Sequence, residues 1–210
     1  MTTAAPPAVR VRTLAEARRV FLRHGSPRAI TAALLASTAG LLVHGSWRWA
    51  QVLVLLVVLA AQPFLEWLVH VYVLHARPRV VAGRTLDLHQ AKKHRAHHAD
   101  PRNLDILFIP LRGAGSGVVV VALLCWLLPD PATRLALLVA VTGTSLAYEW
   151  VHFLIHTDYK PRGALYRRLY VGHRLHHYRN ENYWFGVSRR FGDTVLRTNP
   201  AKQDVPLSTT

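Results

Sequence analysis

Apolar residues gather in four long blocks separated by short basic stretches. Residues 28 to 44 run almost without charge until His44-Gly45, and a second run from Trp47 to Ala61 continues past Pro63 into FLEWLVHVYVLH. AGSGVVVVALLCWLLP from Ala114 is the third, and ATRLALLVAVTGTSLAYEWVHFLIH, ending at His156, is the fourth. A helix rises 1.5 Å per residue, so about 17 to 25 apolar residues cross ~30 Å of hydrocarbon. Each block therefore predicts a transmembrane helix, the first near the lower limit of length. Ser26-Pro27 marks the start of the first helix, HGSWRW a tight turn into the second, and Pro129-Asp130-Pro131 the end of the third. Pro63 lacks an N–H and is expected to kink the second helix where it leaves the bilayer. The pattern reads as an all-α integral membrane protein, four transmembrane helices in two hairpins.

The flanks divide the chain into 1–27, 28–198 and 199–210. Residues 1 to 12 read as a disordered Pro/Ala-rich lead. Thr13 and Glu16 form a capping-box signature, after which Leu14, Ala17 and Phe21 share a face opposed to Arg18, Arg19 and Arg23. That segment suits a short helix on an anionic membrane surface, or equally an ordinary solvated amphipathic helix. MTTAAPPAV has neither a basic start nor an apolar core, so no cleaved secretory signal is expected. Gly113, Gly115 and Gly117 follow no strand and do not read as a nucleotide loop. Residues 28–198 form the membrane domain, and 199–210 a tail.

Composition sharpens the membrane reading. Hydrophobic residues make up 51% of the chain, yet the mean hydropathy is only +0.15 because charge fills the gaps between blocks. A net charge of +15 could suit nucleic acid, but the basic residues flank apolar spans and line no single face. If both termini share a side with the loop from 70 to 113, that side holds 24 of the 26 Lys and Arg, leaving Arg48 and Arg134 on the other. The positive-inside rule then places both termini and that loop in the cytoplasm. The single cysteine, Cys125, excludes an intrachain disulfide, a cysteine-ligated cluster and a cysteine-based zinc site.

The same side collects ten histidines in four bursts: His70 and His75; His94, His97 and His98; His152 and His156; His173, His176 and His177. So many imidazoles point to a metal centre or a pH switch. On a helix, positions i, i+3 and i+4 lie within about 60° of one another, so each HxxHH triplet can reach one centre. His70 and His75 stand roughly 140° apart on an ideal helix, so they serve different metals or mark a distortion. Ten ligands exceed the four of tetrahedral zinc and fit two metals with about five nitrogens each. EWLVHVYVLH then HRAHH, and EWVHFLIH then HRLHH, are echoes that predict two similar halves facing each other. Glu66 and Glu149 are the only acids within the apolar helices; each either fixes the tautomer of a histidine one turn away or pairs with arginine at the interface. Asp100 ends the second box and is near enough to support His97 or His98. His24, His44 and His89 read as ordinary residues outside the site. Tyr183, Trp184 and Phe185 either line a lipid entrance or anchor the cap at the interface.

The order HX4H, HX2HH, HX3H, HX2HH, interleaved with two apolar hairpins, resembles the fatty acid hydroxylase superfamily of membrane non-haem di-iron oxygenases, which includes sterol desaturases. The segments HHADPRNLDILFIP and NENYWFGVSRRFGDTVLRT resemble that family's flanking stretches. The resemblance covers roughly residues 28 to 198. It implies a cytoplasmic helical cap over a four-helix stem, with two iron ions (zinc could occupy the sites) held by all ten histidines of the four bursts. It implies an O2-dependent oxidoreductase of lipid metabolism, hydroxylating a C–H bond of a fatty acid or sterol. The substrate comes from the bilayer and electrons from an external b-type cytochrome, ferredoxin or reductase. Attack on an unactivated C–H bond calls for redox irons, which zinc cannot replace. A second hydrogen removal would make a desaturase instead. Carotenoid hydroxylases share the last box, but the third box here has three intervening residues where four are expected for them. A non-enzymatic membrane metal-binding protein would instead place ligands along a path through the spans.

Overall fold

The computed structural model describes residues 10–44, 47–110 and 115–208. The proposed lead before Arg10, part of the HGSWRW turn and the start of the third block at Gly113-Ala114 lie outside them. Helix α1 (Leu14–Phe21) opens on the expected capping box: Glu16 N–H donates to Thr13 Oγ1 (3.2 Å), and Thr13 N–H to Glu16 Oε2 (3.1 Å). Its apolar face meets protein and not lipid. Ala17, Val20 and Phe21 are buried, with the Phe21 ring 5.0 Å from that of Trp150 and 5.7 Å from that of Phe108. Burying one such ring contributes about 1.5–3 kcal/mol. Leu14, expected on that face, is exposed.

Helices α2 (Gly25–His44), α3 (Trp49–Val69) and α7 (Pro131–Ile155) form the stem, α7 packing against both of the others. Helix α3 runs on through a π-helical turn, His70–Leu74. Among the described residues, three helices are long and apolar enough to cross a membrane: Gly25–His44, Trp49–Leu74 and Pro131–Ile155. The third expected span is α6 (Gly115–Leu127), 13 residues. At 1.5 Å per residue it covers only about 20 Å, less than the hydrocarbon core.

Away from the histidines, the stem is tied by a polar knot. Gln51 is fully buried and its amide donates to Asp130 Oδ2 (2.8 Å) and Thr133 Oγ1 (3.0 Å). Asp130 also caps α7 by accepting from Thr133 N–H (2.9 Å). Pro63 sits inside α3 without ending it. Having no N–H, it cannot serve the carbonyl of Leu59 one turn earlier. That carbonyl accepts from Arg189 Nη1 (2.8 Å).

At the histidine end lie α4 (His89–Ala99), the short α5 (Leu104–Leu107), α8 (Ala164–Tyr178) and α9 (Phe191–Val195). The all-α expectation needs one correction. Strands β1 (Arg79–Val81) and β2 (Arg84–Leu86) form an antiparallel hairpin. Its two-residue turn, Ala82-Gly83, has positive φ at both positions (49° and 72°), as a type I′ hairpin requires. Each strand has three residues, too few for alternation to show in the sequence.

Candidate metal centre

Four helical segments deliver the ten histidines: the end of α3 with its π turn, α4, the end of α7, and α8. The π turn resolves the awkward spacing of the first pair. His75 N–H bonds to the carbonyl of His70 (3.0 Å), an i→i+5 link that underwinds the helix and brings both imidazoles to one side. Of the two outcomes open for this pair, the structure takes the distortion: His70 and His75 fall in one group and do not divide between two.

The histidines form two groups of five, His70, His75, His94, His98 and His176, and His97, His152, His156, His173 and His177. In each, one nitrogen per residue lies within 4.8 Å of all the others. Each HxxHH triplet is thus shared between the groups, contrary to the expectation of one centre per triplet. His94 and His98 go one way and His97 the other, and α8 does the reverse with His173, His177 and His176. On a helix, i and i+4 differ by about 40°, whereas i+3 and i+4 differ by about 100°, so adjacent histidines face different neighbours.

Ring positions define a polyhedron. In the first group eight pairs of ring centroids are 4.6–5.1 Å apart. Of the remaining two pairs, His94 and His176 stand 6.5 Å apart, and His70 and His98 make no ring contact. Two opposed pairs and one residue, His75, close to all four others describe an octahedron lacking one corner. In the second group eight pairs are again 4.5–5.0 Å apart. There His97 opposes His173, His152 opposes His177, and His156 takes the apex. Exchanging the two sequence echoes residue for residue converts one polyhedron into the other. The two meet where His98 stacks on His177 at 4.2 Å.

Donor chemistry fits cations at the two centres. His70 Nδ1 faces the Phe185 carbonyl (2.6 Å) and His176 Nδ1 that of Tyr183 (2.8 Å). A carbonyl only accepts, so each Nδ1 carries the proton and each Nε2 presents a bare lone pair. His94 Nε2 has three other Nε2 atoms, of His70, His75 and His98, each at 3.1 Å. One proton cannot satisfy four converging nitrogens, whereas a central cation can. For a metal–nitrogen bond of about 2.1 Å, adjacent corners of an octahedron are ~3.0 Å apart and those of a tetrahedron ~3.4 Å. The shorter edges favour the octahedral arrangement. In the second group His97 Nδ1 and Nε2 and His152 Nε2 are buried without a hydrogen-bond partner. Burial also keeps the imidazoles neutral: it pushes His75 and His97 down to about 4 and His98 to about 3, and lowers His94, His156, His173, His176 and His177 as well.

A strap after α8 supplies those two carbonyls. Asp193, fully buried, accepts from Phe185 N–H (2.9 Å), Gly186 N–H (2.7 Å) and Thr198 Oγ1 (2.7 Å). Glu66 holds the next residues, accepting from Val187 N–H, Ser188 N–H (2.9 Å) and Ser188 Oγ (2.5 Å). Glu149 accepts from Ser26 Oγ (2.5 Å) and Ile109 N–H (2.9 Å). Neither glutamate hydrogen-bonds a histidine; both fasten backbone that follows an HxxHH helix. Asp100 is exposed at the end of α4 and acts on His97 only as a nearby charge that offsets part of the effect of burial. Trp184 and Phe185 are buried, the Phe185 ring 5.4 Å from His70 and from His176, so they are part of the strap and line no open lipid entrance. His24, His44 and His89 belong to neither group. Sequence reasoning missed Asp193. Its signal is the pair Gly186 and Gly192: a Cβ at the first would collide with the Arg189 carbonyl, and at the second with that of Pro63.

The chain is similar to known proteins in sequence and in fold. Residues 55–198 match the fatty acid hydroxylase family. A curated relative named dihydroceramide fatty acyl 2-hydroxylase FAH2, from Arabidopsis thaliana, is 26% identical over 139 residues, 65% of this chain and 56% of that protein. The chain thus spans little more than half the length of this relative. A solved structure described as full-length scs7p with only the hydroxylase domain visible has a TM-score of 0.66 at 20% identity, covering 88% of this chain and 68% of that one. That likeness is one of fold.

Proposed function

The chain belongs to the fatty acid hydroxylase family, and from that premise we propose that it is an integral membrane enzyme that uses O2 and external electrons to hydroxylate a C–H bond of a lipid, with a fatty-acyl chain as the substrate class. The observation that carries this is the pair of five-histidine polyhedra, each with one corner outside the histidine set. All ten histidines would hold two iron ions, which would supply the redox chemistry that activates O2. The residues of the chain do the rest. Phe185 and Tyr183 carbonyls fix the tautomers of His70 and His176, and Asp193 and Glu66 hold the strap that carries them. Burial of the imidazoles keeps water from competing for their lone pairs.

The membrane topology belongs to the same proposal: four spans, α6 being the short one, with both termini and the histidine cap in the cytoplasm. Its support is the distribution of Lys and Arg and the bare apolar surface of the stem, where Leu35, Leu42, Leu53, Leu56, Val57 and Leu65 are exposed. A relative that acts on dihydroceramide acyl chains favours a fatty-acyl substrate over a sterol. An external electron donor, a b-type cytochrome, ferredoxin or reductase, would supply the two electrons that, with two protons, reduce the second oxygen atom of O2 to water.

The test compares lipids from cells expressing the wild type and His97→Ala, alongside metal analysis of the purified proteins. New hydroxylated acyl chains with the wild type alone, and two irons per chain, are expected. Unsaturated products would make it a desaturase. Two metals bound with unchanged lipids in both would leave a metal-binding protein and overturn the enzyme.

A further inference from the structure

All residues of strands β1 and β2 are exposed. Val80 is 74% exposed, and Val81, Leu86 and the following Leu88 are exposed as well. A two-stranded hairpin is marginally stable alone in water, and bare valines and leucine on it call for a cover. Its base is nevertheless tied to α4: the Arg95 guanidinium donates to both carboxylate oxygens of Asp87 (2.7 and 2.6 Å) and to the Ala76 carbonyl (3.0 Å). Arg95 lies between His94 and His97, so the helix that carries the second histidine box also holds the hairpin.

The cover is identified by position and charge. The apolar helix Trp49–Leu74 ends five residues before β1, so the hairpin follows directly on the histidine-bearing end of a membrane helix. Arg79 and Arg84 on it and Arg77 just before it are exposed, and the one acid of the segment, Asp87, is taken by Arg95. Apolar side chains among unpaired arginines match an anionic lipid interface, where the former enter the acyl boundary and the latter meet phosphates. We propose that the hairpin Arg79–Leu86 docks on the anionic membrane surface as an interfacial anchor, and through Arg95 holds α4 and its histidines at a set height above the bilayer. This rests on the membrane reading of the stem.

The test uses the full-length protein in proteoliposomes, with the native cysteine replaced (Cys125→Ser) and an environment-sensitive fluorophore on Val80→Cys or, as a reference within the stem, Leu56→Cys. Vesicles contain phosphatidylcholine with or without phosphatidylserine, and lipids carrying a quencher at shallow or deep acyl positions. Val80→Cys is expected to be quenched from the shallow position, more so with phosphatidylserine. Replacing Arg77, Arg79 and Arg84 with Gln should remove that lipid dependence, each arginine near an anionic leaflet being worth roughly fivefold. A label at 80 that remains open to aqueous iodide while that at 56 is quenched by lipid overturns the anchor. Shielding from iodide without lipid quenching, as a second copy would cause, overturns it too. Absence of lipid quenching at both positions instead refutes the membrane stem.

Discussion

Asp193→Ala tests whether the strap tunes one histidine group selectively. The substitution removes the acceptor of two buried backbone N–H groups, those of Phe185 and Gly186, and of the Thr198 hydroxyl. A buried donor left without a partner costs about 1–3 kcal/mol. Two such donors and a lost hydroxyl bond together amount to roughly 3–6 kcal/mol, and for a chain of this size each kcal/mol is about 2–4 °C of melting temperature. The strap carries carbonyls only to His70 and His176, both in the first group. Loss of such an orienting bond typically weakens metal affinity 10–100-fold. The assay is a metal titration of detergent-solubilised protein, with melting followed in parallel. One ion per chain should be retained at metal levels that fill both sites in the wild type, and Asp193→Asn, which keeps one acceptor oxygen, should fall between. Equal loss from both groups, or full occupancy despite a lowered melting temperature, would refute the selective role.

Three further outcomes follow from the same geometry. In metal-free protein, histidines such as His97 and His98 have pKa values below the ordinary 6.5, so the unfolded chain binds protons first as pH falls. Their stabilisation is present above about pH 6.5 and lost on acidification toward pH 4, about 3 kcal/mol for His97 alone; chelated protein whose urea midpoint is flat from pH 7.5 to 4.5 would contradict this. Arg189→Ala leaves the Leu59 carbonyl without its donor and should cost about 0.5–1.5 kcal/mol, a loss that Pro63→Ala relieves by restoring an N–H; strict additivity in the double mutant argues against the link. Gly192→Ala drives a Cβ into the Pro63 carbonyl and should destabilise by roughly 1–3 kcal/mol, read as a lower melting temperature.

The apolar blocks were readable because membrane crossing is a composition-and-length requirement. The capping box at Thr13 and Glu16 and the helix break at Pro129-Asp130-Pro131 were readable because caps and breaks are local chemistry. Depth along a helix was harder: α1 carries an amphipathic pattern that suits a membrane surface, yet Phe108, Trp150 and Phe153 occupy that face. Glu66 and Glu149 were recognisable as unusual acids, but the backbone they fasten, at Val187, Ser188 and Ile109, lies at separations of 121, 122 and 40 residues, beyond the reach of any spacing rule.

The histidines divide the same way. Their number, their order and the likeness of the two halves are properties of the sequence alone, since helical spacing decides which side chains share a face. Which histidine joins which group is not. His97 and His98 are neighbours in the chain and point to different centres, and His176 completes a polyhedron begun on α3 and α4. That assignment depends on how four helical segments cross, and on a π turn that rotates His75 beside His70. Both arise from packing across long separations, which only the tertiary structure decides.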